Sequence, residues 1–84
     1  MNEIINSLFQ QKEQEGCLGK EIAKEVAKEF ARKYKNDFAK GDNPIVALSL
    51  CCLIELIWQT AYSRGIDISR EEIASEVMKE ILSK

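Results

Sequence analysis

Apolar residues recur at helical spacing in four stretches of the chain, with short polar or glycine-bearing breaks between them. In the first stretch, Ile4, Ile5, Leu8 and Phe9 share one face and predict a helix over about residues 3–14. Its tail, Gln10 to Glu15, has no apolar anchor. The helix is therefore expected to fray before Gly16, with Cys17 and Leu18 tucking the connection against the rest of the fold.

The second stretch, Lys20 to Lys40, is a four-residue near-repeat: KEIA, KEVA, KEFA, RKYK, NDFA. A repeat of four on a helix of 3.6 residues per turn drifts by about 40° each time, so Ile22, Val26, Phe30, Tyr34 and Phe38 form a winding i±4 ridge. Ala23, Ala27, Ala31 and Ala39 run beside it. Small residues in that row permit close approach of a second backbone and favour an oblique crossing over a straight coiled-coil seam. Gly41 stands where a C-terminal cap is needed.

The third stretch is the most apolar. From Pro44 to Tyr62 only Ser49, Glu55, Gln59 and Thr60 are polar. Asn43 reads as the N-cap and Pro44 as the first helical residue, where a missing N–H costs nothing; Arg64-Gly65 ends the helix. Val46, Ala47, Leu50, Cys51, Leu53, Ile54, Ile57, Trp58, Ala61 and Tyr62 fill half the helical wheel, as a central packing position requires. Ile45, Leu48, Cys52 and Leu56 lie on the other half, among Ser49, Glu55, Gln59 and Ser63.

The fourth helix has the strongest local signature. Ser69 is its N-cap, Glu72 completes a capping box, and Ile68 staples onto Ile73. Ile73, Ala74, Val77, Met78, Ile81 and Leu82 form one stripe that covers helix 3 and leaves Glu71, Glu76, Lys79 and Glu80 in solvent. The short link Gly65-Ile66-Asp67-Ile68 makes helices 3 and 4 antiparallel neighbours. The expected fold is all-α: a compact four-helix bundle with a central apolar third helix, in one domain over residues 1–84.

A chain of 84 residues buries only about 60–65 % of its unfolded surface, so the core is thin. A net charge of -2 argues against coating nucleic acid or anionic lipid by bulk electrostatics. The stretch MNEIINSLFQQKEQEG has neither the basic and apolar regions nor the cleavage site of a secretory signal, which sets the expectation of a cytoplasmic protein. Pro44 to Tyr62 is long enough to span a membrane, but Glu55 would then cost up to about 3 kcal/mol in the hydrocarbon. No membrane insertion is expected.

Catalysis is the least supported function. There is no histidine to act as general base or metal ligand, and Glu71 and Glu72 sit in a helix first turn where the dipole explains them. No enzyme activity, cofactor or metal is expected. Cys51 and Cys52 have leucine neighbours in place of the cation that would favour a thiolate, and the three cysteines lack CxxC spacing, so reduced, packed thiols are expected.

Two binding readings remain. Lys24, Lys28, Arg32 and Lys35 share an arc of about 80° on helix 2, a candidate nucleic-acid surface. Lys20 to Lys40 carries net +3, seven cations less four anions, but Glu21, Glu25 and Glu29 are spaced to pair with those cations. ISREEIASEV resembles the first helix of helix-turn-helix domains, but a recognition helix is not expected in the few residues after Ile81. The other reading is a protein interface. Ile45, Leu48, Cys52 and Leu56, rimmed by Glu55, Gln59 and Ser49, have the composition of an apolar interface core inside a polar border. Either a second subunit, giving a homodimer, or helix 1 covers this row.

The layout of four helices with a proline-initiated apolar third helix resembles that of small bacteriocin immunity proteins over about Asn43 to Lys84. That resemblance spans generic residues with a one-turn gap in helix 3, and carries no functional residue across. The leading expectation is a non-catalytic cytoplasmic interaction or regulatory subunit working through a homodimeric helical interface. Nucleic-acid binding is the alternative, and an immunity-like helical protein a minor one.

Overall fold

The computed structural model describes residues 2–39 and 44–83, and the side chains of 3–35 and 48–83. It contains α1 (Asn2–Gln14), α2 (Lys20–Ala39), α3 (Pro44–Ser63) and α4 (Arg70–Leu82), with no strand among the described residues. This is the expected all-α bundle. Pro44 does begin α3, whereas the proposed caps Asn43 and Gly41 lie outside the described residues.

Two helix ends close in the same way. Cys17 N–H bonds to Lys12 O at 3.1 Å and Gly16 N–H to Glu13 O at 3.1 Å; Ile66 N–H bonds to Ala61 O at 2.9 Å and Gly65 N–H to Tyr62 O at 3.0 Å. Both are Schellman caps, which need a left-handed residue, and Gly16 (φ 96°) and Gly65 (φ 76°) supply it. At the start of α4, Ser69 Oγ accepts the Glu72 N–H at 3.1 Å, as its capping-box spacing predicts. The Glu72 carboxylate takes one bond from Ser69 Oγ and another from Lys20 Nζ, 3.3 Å away on α2.

α2 and α3 each pack against all the other helices, while among the described residues α1 and α4 do not touch. α2 contributes the larger share of the buried set: Ile22, Ala23, Val26, Ala27, Phe30 and Ala31, against Leu53, Ile57 and Ala61 from α3. As far as Phe30 and Ala31, the apolar ridge of the near-repeat and its alanine row both face inward, so a helix with charges at half its positions lies deep in the bundle. α4 packs chiefly on α2. Lys20–Glu72, Lys28–Glu76 and Arg32–Glu80 pair in rising order along both helices, at 3.3, 3.8 and 3.0 Å, so the two run parallel with α3 returning between them.

That ladder corrects several expectations. Glu76 and Glu80 are not solvent residues: their side chains are only 13 % and 24 % exposed, drawn against the α2 cations. Because α4 leans toward α2, the flank of α3 that holds Cys51 is left open, and Cys51 is exposed, not in the core. Tyr62, Met78 and Leu82 are exposed as well. In α1, Ile5 and Phe9 are fully buried but Ile4 is exposed, and Leu18 projects into solvent instead of tucking inward.

The polar tail of α1 has an anchor that the apolar count missed. Lys12 continues the Ile5–Phe9 row, is 8 % exposed, and places its ammonium between Glu15 and Glu29 at 3.4 and 3.5 Å. Burial alone would lower its pKa, but hydrogen bonds and charge from Glu15 and Glu29 outweigh that and leave it above the ordinary lysine value.

Candidate interaction surface

On α3, Leu53, Ile57 and Ala61 define the buried side. Leu48, Cys52, Gln59 and Ser63 lie on the opposite, exposed side, flanked by exposed Cys51 and Tyr62. Helical geometry makes this inevitable: at 100° per residue, Leu48 and Gln59 point about 160–180° away from Ile57. Of the six residues expected in an interface, Leu48, Cys52, Glu55 and Gln59 share this outer half, and the Ile45 side chain lies outside the described residues. Leu56 belongs to a different environment. It is half-buried and packs against the core, so α1 covers that edge of the row and leaves Leu48 and Cys52 open.

Between the α1 edge and α3 lies an apolar cleft of about 200 Å³ bordered by Ile4, Phe30, Tyr34, Ser49, Cys52, Leu53 and Leu56. It joins the outer face of α3 through Cys52. At the other edge of that face, Glu55 receives two bonds from the Arg70 guanidinium, at 2.6 and 3.0 Å. The Arg70 bond and charge hold the Glu55 carboxyl below the usual range, and the same hydrogen bond to Glu55 raises Arg70. Glu55 is thus a rim residue with a partner inside its own chain.

Most of the basic ridge of α2 is engaged within the chain. Lys28 meets Glu25 and Glu76, Arg32 meets Glu29 and Glu80, and Lys35 bonds to the carbonyl of Ser83. Lys24 alone of those cations has no partner among the described residues. The hydrogen bond and charge of Glu80 raise the Arg32 pKa further. A phosphate would have to displace carboxylates already in place.

The cysteines differ from expectation in a useful way. Cys17 is half-buried against the core, and burial together with the charges of Glu21, Glu25 and Glu15 pushes its thiol pKa up. Cys51 and Cys52 are the accessible pair.

Sequence reasoning overlooked a cluster at the α3–α4 turn. The Arg70 guanidinium lies 3.8 Å from the centre of the Trp58 ring, Tyr62 stacks beside Trp58 with centroids 5.3 Å apart, and Trp58 Nε1–H bonds to Ile68 O at 3.0 Å. The signal was present in the i,i+4 spacing of Trp58 and Tyr62 and in an arginine at the start of the following helix.

No protein-family model, curated protein or solved structure matches this chain. The resemblance to bacteriocin immunity proteins therefore gains no support from them. Among the described residues, no helix is long and apolar enough to cross a membrane.

Proposed function

We propose that the protein is a non-catalytic cytoplasmic binding subunit that pairs with a second copy through the outer face of α3. One observation carries this reading: Leu48, 65 % exposed, and Cys52 stand open on the most apolar helix of the chain. Leu48, Cys52, Glu55 and Gln59 recur at steps of four, three and four, the spacing that seats one helix against another at a shallow angle. The apolar end of this row and the adjoining cleft supply an interface centre, and Glu55 and Gln59 supply its polar border. Free cysteines favour a reducing compartment. The α2 cations, engaged by α4, give nucleic-acid binding no comparable support.

Light scattering at micromolar concentration tests the reading. The wild type should have the mass of a dimer, and Leu48→Glu with Cys52→Glu should give monomers of unchanged helicity, since both positions are exposed and like charges would face each other across a two-fold axis. A wild type that remains monomeric would overturn it.

A further inference from the structure

We infer that the cleft at the α3–α4 turn is a docking site for an extended, proline-containing cationic peptide segment of another protein, seated on Trp58 and Tyr62 with its cation facing Asp67. This inference is independent of self-association. Tyr62 lies ten residues beyond Cys52 along α3, a rise of about 15 Å, on the flank that faces α4.

The aromatic floor is built in advance. Trp58 is held at its edge by the bond to Ile68 O and on its face by Arg70, which the Glu55 carboxylate clamps with two bonds. Tyr62 stacks against it yet is 71 % exposed. Fixed, exposed aromatic rings lose little entropy on binding, and Trp and Tyr are the side chains that most often dominate binding energy.

The shape suits a chain more than a compact molecule. A hollow of about 540 Å³ along Trp58 and Tyr62 adjoins one of about 700 Å³ along Leu18 and Ile22, and the two share Gly65, Ile66 and Asp67. A Cβ built on Gly65 would meet nothing within 4 Å, so the passage between them is open. Leu18, 79 % exposed, offers a second apolar contact at the far end. Polyproline II segments, pre-extended and three residues per turn, dock in such aromatic troughs.

Charge selects the ligand's sign. The cations near the trough are already neutralised: Arg70 by Glu55, Arg64 by Glu13 at 2.7 Å, and Lys20 by Glu72. Asp67, on the shared wall of both hollows, is exposed and makes no ion pair among the described residues. An incoming arginine or lysine would find an unneutralised carboxylate beside an aromatic face.

The test uses the full chain and a blocked peptide, Pro-Pro-Arg-Pro-Pro-Arg, read by the fluorescence of Trp58, the single tryptophan. A saturable change is expected. Tyr62→Ala should weaken binding by at least about tenfold, and Asp67→Asn by about twofold to fivefold with reduced salt sensitivity. Asp67→Lys, at an exposed loop position, should abolish binding without loss of helicity by circular dichroism. No saturable change up to millimolar peptide would overturn the inference. So would equal binding of a peptide with Glu in place of Arg, equal binding by folded Asp67→Lys, or arginine amide alone binding as tightly as the peptide.

Discussion

α2 and α3 are each 20 residues long, and they reverse the usual association of apolarity with depth. α2 is built mainly from charged residues and alanine, yet six of its side chains line the core; α3, with few polar residues, leaves Leu48, Cys51, Cys52 and Tyr62 in solvent. The difference lies in arrangement. On α2 the apolar residues and alanines form two adjacent rows; cations on one side reach Glu72, Glu76 and Glu80 of α4, and Glu29 on the other meets Lys12 of α1. On α3 the apolar residues surround the helix, and three neighbours cannot enclose every side of it. A narrow stripe specifies one partner surface, whereas an all-round apolar helix leaves its outer side for something else.

Substitutions on each helix can break or sharpen that contrast. The largest effect belongs to the buried side of α3: Ile57→Ala, at a fully buried position, should cost about 2–5 kcal/mol in urea unfolding. A smaller loss would mean that the core around α3 is looser than its burial implies. Ala27→Leu, in the buried alanine row of α2, should cost about 1–3 kcal/mol by forcing apart helices packed closely through that row. A neutral result would remove the close approach from the account of α2. Smallest is Leu48→Ser, measured at a dilution where light scattering gives the monomer mass: unfolding free energy should move by no more than about 0.5 kcal/mol. A loss like that of Ile57→Ala would show Leu48 to be covered within the chain and erase the distinction between the two sides of α3.

The helices and their order were legible in the sequence because each has its own periodicity and several have explicit ends. Ser69 with Glu72, Gly16 and Gly65 all act through local hydrogen bonds that spacing alone can specify. What spacing could not specify was which helices lean together. The position of α4 against α2 depends on pairings such as Arg32–Glu80, between residues 48 apart in the chain. That tilt bares Cys51 and shelters Glu76, neither of which any pattern within one helix could reveal. Lys12 was missed for a related reason: its burial requires Glu29, supplied by another helix. Of the candidate interface, the exposure of Leu48 and Cys52 followed from the wheel, but the partial cover over Leu56 came from the placement of α1.

The parallel pairing of α2 with α4 also constrains the order of assembly. Parallel helices adjacent in space cannot be joined by a tight turn, so α2 must await both the return run of α3 and the emergence of α4 before its alanine row is covered. On the ribosome, a hairpin of α1 and α2 would keep part of its inner surface wet until α4 has emerged and docked. Contacts spanning that much sequence close a long loop before they yield their stabilisation, which slows folding relative to a bundle made only of sequential neighbours. α4 is thus the helix that commits this bundle, and it does so by returning to α2.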